Sequence, residues 1–211
     1  MAKGKVATRE LNKIRNKQLV LDTSVIILLS DIRYRPQVGA ALNQLEGQGN
    51  QFFVSELTLY ELNKSSRTAA DVAKKARLLS RFSPLPVDQN RLIHGGLLFS
   101  TMKNGQQAFQ NKEHKISCDM IIGGTVVENP NSLLMTTNSD DFHLPCWRVV
   151  AEGRVVKKNK GNGWTLANWY LFEFDYSKMP EEFLTDELRQ RFTSVQKTLL
   201  LPEIPAEGEV G

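Results

Sequence analysis

Asp22, Glu61, Asp119 and Asp141 each stand beside the end of an apolar run, although the chain separates them widely. One carboxylate at the end of a segment is ordinary. Four in otherwise hydrophobic settings suggest a site assembled by folding. Carboxylates brought together repel and raise one another's pKa, so they stay ionised only with a cation between them. Hard divalent cations that take oxygen ligands, Mg²⁺ or Mn²⁺, suit such a cluster. A metal held this way on a basic protein points to phosphodiester chemistry. The plainer reading makes Asp22 and Asp119 helix-cap acids and Asp141 a turn residue. It serves for each acid alone and weakens for the four together.

These acids need elements to carry them. Leu19-Val20-Leu21 suits a short buried parallel strand, which Asp22 ends. Thr23-Ser24 then offers capping hydroxyls to a helix over Val25–Leu29. Val38, Ala41, Leu42 and Leu45 fall at helical spacing until Gly47 and Gly49. Phe52-Phe53-Val54 reads as a second strand, with Ser55 as N-cap of the helix that carries Glu61. Ala69 to Phe82 is helical, with Lys74, Lys75, Arg77 and Arg81 on one basic face. Ser83–Val87, with two prolines, is a break or an extended link.

Asp88 starts a helix to about Met102, which Gly95-Gly96 weakens, and Asn104–His114 reads as a polar loop. Ser117 then caps a helix over Cys118–Glu128. That puts Asp119 in a first turn, where the helix dipole favours negative charge. Gly123-Gly124 within it predicts close backbone approach to a neighbour. Ser132–Met135 is another buried strand, ending in the polar string Thr136–Asp141, and Trp147–Val150 is a last core strand.

Strands alternating with helices predict an α/β domain on a mainly parallel sheet. In such sheets, sites form outside the carboxyl ends of the strands, which is where Asp22 and Asp141 fall. After residue 150 the pattern becomes a β-hairpin (Gly153–Val156 and Trp164–Phe174), a helix from about Pro180 to Leu199, and a Pro/Glu/Gly tail. Its aromatics, interleaved with basic residues, either stack on single-stranded bases or form a small core over a sheet edge. The second use is the commoner.

The 211 residues, 41% of them hydrophobic, suffice for one sizeable core. No apolar run approaches the roughly 20 residues of a bilayer span. Asp22 falls where a signal-peptide core would lie, so the expectation is a cytoplasmic protein without membrane contact. Cys118 and Cys146 form no CxxC and have no histidine pair nearby, which argues against zinc. His94, His114 and His143 read as surface or packing residues.

Net charge is +4 and the pI near 9.1, a weak sign of nucleic-acid binding. Its distribution says more. Residues 1–17 carry Lys3, Lys5, Arg9, Lys13, Arg15 and Lys17 against Glu10 alone, and Arg154, Lys157, Lys158 and Lys160 cluster at the hairpin turn. Both groups are either phosphate grips or simply solvated.

These residues resemble the PIN-domain family and, within it, the VapC-type toxins. Leu19-Val20-Leu21-Asp22-Thr23-Ser24-Val25-Ile26 is similar to the family's first strand and first catalytic aspartate. Phe53-Val54-Ser55 with Thr58-Leu59-Tyr60-Glu61-Leu62 is similar to its second strand and glutamate-bearing helix, the Glu-Leu context selecting Glu61 over Glu56. Cys118-Asp119-Met120-Ile121-Ile122-Gly123-Gly124 is similar to its third acidic block, with glycines where alanines are usual. Leu133–Phe142 is similar to its strand-then-Thr-x-Asn-x-x-Asp-Phe ending, the Asp-Phe pair selecting Asp141 over Asp140. The four blocks stand in the family's order over residues 18–150.

The resemblance implies a three-layer α/β/α nuclease domain over 18–150. A basic arm (1–17) would precede it, and an extension of hairpin, helix and tail (151–211) would follow. It implies an endoribonuclease in which Asp22, Glu61, Asp119 and Asp141 hold Mg²⁺ or Mn²⁺, directly or through water, to activate water for in-line attack. Thr23, Ser24, Thr137 and Asn138 would bind phosphate or fix the carboxylates. RNA is then the substrate, and the family suggests an antitoxin protein and a second copy of the chain as partners. Two rivals stand beside this reading. One is a DNA-directed nuclease on the same site. The other is an RNA-binding or assembly module whose acids serve folding alone.

Overall fold

The computed structural model describes residues 11–64, 66–105, 113–142, 144–158 and 164–179, together with 186, 189 and 190. The expected helix over 180–199 and the tail lie almost wholly outside these, as do residues 1–10 of the arm and the hairpin turn at 159–163. Six strands form one sheet: β1 (Gln18–Leu21), β2 (Gln51–Ser55), β3 (Ser83–Leu85), β4 (Ser132–Thr136), β5 (Trp147–Lys158) and β6 (Trp164–Phe174). Their order is β3-β2-β1-β4-β6-β5. The first four run parallel. β6 lies antiparallel to β4, and β5 antiparallel to β6. Pro84 has no N–H to give, and β3 is the outer strand at its end of the sheet, where that is tolerated.

The helices are α1 (Thr23–Ser30), α2 (Arg35–Glu46), α3 (Glu56–Asn63), α4 (Ala69–Leu79), α5 (Gln89–Gly105) and α6 (Glu113–Val127). Alternation along the strands builds two cores. Leu19, Leu21, Leu133 and Met135 face α1 and α2, with Leu62 and Leu79 from α3 and α4. Val20, Leu134, Phe172 and Phe174 face Leu98 of α5 and Met120, Ile122 and Val126 of α6. The outcome is the expected three-layer α/β/α domain on a mainly parallel sheet.

Four local expectations change. Asp22 itself is the N-cap of α1, accepting from the Ser24 N–H. The helix carrying Asp119 begins at Glu113 rather than after Ser117, so Asp119 sits in its second turn, beyond most of the dipole's reach. Gly95-Gly96 does not interrupt α5, because Gly95 packs against Ile121 of α6. The Trp147–Val150 strand and the first hairpin strand are one element, β5, with a register irregularity between Val149 and Ala151.

The described end of the basic arm is anchored. Leu11 is fully buried and Ile14 nearly so. Asn50, itself buried, ties this segment to α2: its Nδ2 donates to the Ile14 carbonyl (2.8 Å) and the Leu45 carbonyl (2.7 Å). Its Oδ1 accepts from the Lys17 N–H at 2.8 Å. Asn50→Ala removes three side-chain hydrogen bonds to the backbone and leaves the Ile14 carbonyl and the Lys17 N–H without this partner, which should lower stability by about 2 kcal/mol. The check is a urea melt, with a lower midpoint at unchanged slope expected. A wild-type midpoint would show that water replaces the amide without loss.

Candidate active site

β1 and β4 are neighbours in parallel register, Leu21 beside Met135, so the chain leaves both at the same edge of the sheet. Asp22 emerges from the first and Thr136-Thr137-Asn138 from the second. An open cavity of about 510 Å³ lies there, lined by Asp22, Thr23, Ser24, Ile27, Glu61, Lys64, Asp119, Thr137 and Asn138. Folding therefore brings three of the four singled-out acids to one cavity. Asp141 lies behind it, buried, hydrogen-bonded to Asp119 and accepting from Asn138 Nδ2.

Asp22 and Glu61 are held by hydroxyls and Asp141 by an amide, while Asp119 bonds to Asp141. Asp22 Oδ2 accepts from Ser24 Oγ (2.5 Å) and from Thr136 Oγ1 (2.8 Å). Ser24 Oγ in turn accepts from the Thr137 N–H (3.0 Å), and Thr136 Oγ1 from the Asn138 N–H (3.0 Å). This lattice fixes the turn after β4 against the start of α1. Glu61 Oε2 accepts from Thr23 Oγ1 at 2.5 Å, and Lys64 Nζ stands 4.0 Å from Oε1. The hydroxyls of Thr23 and Ser24 thus orient carboxylates.

Burial dominates the electrostatics. Asp22 is 1% exposed, and desolvation raises its pKa against the hydrogen bonds from Ser24 and Thr136. Desolvation also raises Asp119, reinforced by the charge of Asp22 and by the bond and charge of Asp141, up to about 9. Without a cation, Asp119 therefore holds a proton at neutral pH. Two buried carboxylate oxygens, Asp22 Oδ1 and Asp119 Oδ2, have no hydrogen-bond partner. Buried carboxyl oxygens without partners are costly, and a hard cation would satisfy them. No three His, Cys, Asp or Glu side chains among the described residues converge into a ready cage.

Sequence reasoning missed three neighbours. Lys64 lies one turn after Glu61, a spacing that foretells the pair. Cys118 is half-buried against Glu61, and burial followed by the charges of Glu61 and Asp119 pushes its thiol pKa up. Thr136 was legible only as the end of a strand.

The PIN domain family model matches residues 19–144, more than half of the chain. The chain belongs to the PIN domain family, whose members are generally nucleases. Among solved structures it is similar to VapBC2 from Rickettsia felis bound to a DNA fragment from their promoter. Identity is 19% over 61% of this chain and 93% of that one, with a TM-score of 0.47. It is also similar to DNA-bound VapBC from Salmonella typhimurium, with 20% identity over 60% and 90% and a TM-score of 0.44. Likeness at this level bears on neither activity nor partner. A comparison with the curated proteins gave no match. Among the described residues, no helix is long and apolar enough to cross a membrane.

Proposed function

We propose that this protein is a metal-dependent endoribonuclease that hydrolyses phosphodiester bonds at the Asp22–Glu61–Asp119 cavity. The observation that carries this reading is the pair of buried, unpartnered oxygens, Asp22 Oδ1 and Asp119 Oδ2, in residues lining one open cavity. Asp22 and Asp119 would hold Mg²⁺ or Mn²⁺, with Glu61 reaching it directly or through water. Such an ion, when bound, lowers the pKa of water and offsets charge on the phosphate. In the hydrolysis a water oxygen bonds to phosphorus, the bond to the leaving ribose oxygen breaks, and that oxygen takes up a proton. The chain's own work is positioning. Ser24 and Thr136 fix Asp22, Thr23 fixes Glu61, and Asp141 fixes Asp119. Lys64, Thr137 and Asn138 offer donors to the phosphate from the cavity wall.

The test is a panel of single-stranded RNA, the same sequences as DNA, and structured RNA, incubated with Mn²⁺ or with EDTA. Cleavage of RNA that needs Mn²⁺ and is lost in Asp22→Asn supports the reading. Equal cleavage of the DNA shows that the 2′-OH is not read and favours the DNA-directed alternative. Identical behaviour of wild type and variant overturns the reading and favours a binding module.

One observation favours the narrower role of a toxin held by an antitoxin. Ile27, Tyr60 and Val72, on α1, α3 and α4, are 53%, 64% and 42% exposed, and Ile27 borders the cavity. A protein partner covering these side chains would sit beside the site and close it.

A further inference from the structure

A second cavity, of about 330 Å³, has a cationic wall lined by Ser30, Arg35, Arg67, Asp71, Lys74 and Lys75. It adjoins the acidic cavity along two stretches of chain. On α1, Ile27 lines the acidic cavity, and Ser30, one turn further along the same face, lines the basic one. After α3, Lys64 lines the first and Arg67 the second. From Asp22 to Ser30 the helix rises about 12 Å, at roughly 1.5 Å per residue.

Two of the four cations have structural work. Arg35 Nε donates to the Leu29 carbonyl at 2.9 Å, in the last turn of α1. Lys75 Nζ donates to the Leu62 carbonyl (2.5 Å) and to Ser66 Oγ (2.9 Å), closing the end of α3. Both charges are thereby fixed at helix C-termini, where cations are favoured. Capping leaves Arg67 and Lys74 unexplained. Both are exposed, and among the described residues neither side chain makes an ion pair. The acid of this wall, Asp71, is engaged at the start of α4. Its side chain accepts from the Arg67 N–H at 3.3 Å, and its own N–H donates to Thr68 Oγ1 at 3.1 Å. Cations gathered around one hollow repel one another, and an anion between them relieves the repulsion.

We infer that this cavity grips a phosphate of the RNA strand beside the cut, with the strand lying along α1 from the acids to Arg67 and Lys74. The inference rests on the ribonuclease reading and names where its substrate runs. A strand cut at the acids continues away from them, and the Ile27–Ser30 face leads into the cationic hollow. Guanidinium forks match phosphate oxygens, and each ammonium adds a point charge. None of these groups reads a base, so the grip tolerates any sequence and strengthens at low salt. Its fixed distance from Asp22 selects which bond reaches the acids.

Binding of a labelled single-stranded RNA is measured by fluorescence anisotropy, on the full chain in EDTA, across a salt series. Arg67→Ala/Lys74→Ala should weaken binding and reduce the log–log salt slope by about 1.4, at roughly 0.7 per phosphate contact. Arg154→Ala/Lys178→Ala removes the same charge from exposed positions on β5 and after β6, and should bind as wild type. Thermal melts show that both variants are folded. Wild-type affinity and slope in the first variant overturn the inference, as does an equal loss in the second. A labelled polyglutamate peptide is run alongside. Peptide binding tighter than RNA binding, and lost in the first variant, assigns the cavity to an acidic protein segment and overturns the inference too. Cleavage is scored separately in Mn²⁺, where the first variant should raise KM with little change in kcat, because the grip holds ground state and transition state alike. Binding that needs Arg67 and Lys74, without cleavage, leaves the grip standing and removes the ribonuclease reading. Cleavage with binding independent of them does the reverse.

Discussion

Asp119→Asn should cut RNA about a thousand-fold more slowly than wild type and yet melt at a higher temperature at pH 8. The first effect follows from losing several kcal/mol of charge stabilisation at the metal, each 1.4 kcal/mol being about tenfold. The second follows from burial. Folding desolvates the Asp119 carboxyl and sets it beside Asp22 and Asp141, pushing its pKa from 3.8 up to about 9. Below pH 3.8 the group is protonated both folded and unfolded, and ionisation does not oppose folding. Between 3.8 and about 9 the folded chain keeps a proton that the unfolded chain has released. The folded state binds more protons there, so stability falls as pH rises.

Asparagine never ionises and escapes this penalty. The variant's Tm should therefore exceed wild type by about 3–6 °C at pH 8, corresponding to roughly 1–2 kcal/mol. The gap should close towards pH 4. Mn²⁺ should narrow it at pH 8 as well, because an ion that binds only the folded wild type stabilises it by mass action. Calorimetry at the two pH values, with and without Mn²⁺, reads all of this. A variant less stable than wild type at pH 8 would mean that the Asp119–Asp141 contact stabilises the fold instead of opposing it.

What was legible in the sequence is what short-range chemistry decides. Leu19-Val20-Leu21 can only be a buried strand, and a polar residue must follow it, so Asp22 was placed at once. Ser55 caps α3 as expected, its side chain accepting from the Leu57 N–H. Asp119 shows the limit. Ser117 reads locally as a cap, but the helix begins at Glu113, and the pKa of the acid is set by burial among residues distant in sequence.

The same limit hid the continuity of β5. Gly153 lies under the indole of Trp169, with the Cβ of any other residue falling 2.2 Å from Cζ2. Neither residue predicts the other across the intervening turn. Leu11 and Ile14 were visible as two apolar residues within the basic arm. The partner of Ile14, Asn50, enters from just beyond the far end of α2. The pairing of Lys64 with Glu61 was available from helical spacing alone.

The glycines of α5 and α6 give an opposed pair of results. A Cβ on Gly124 would stand 2.7 Å from the Arg91 carbonyl oxygen and 2.9 Å from the Gly95 nitrogen. One on Gly95 would stand 2.7 Å from Ile121 Cα. The two helices therefore meet backbone to backbone, and no side chain can swing aside to make room. The salt bridge from Arg91 Nε to Glu128 Oε2, at 3.0 Å, clamps the same crossing. Gly124→Ala must push α6 away from α5, at about 3 kcal/mol, the upper end for overpacking. That is a large share of the roughly 5–15 kcal/mol by which domains are stable. Asp119 is carried on α6, so the displacement should lower kcat as well. Gly96, one residue from Gly95, has open space where a Cβ would go. Gly96→Ala gains only helix propensity and should stabilise by about 0.5–1 kcal/mol with activity unchanged. Urea melts of the two variants should move in opposite directions. If both move the same way, the crossing is not packed through Gly124, and Asp119 must owe its place to the sheet rather than to α5.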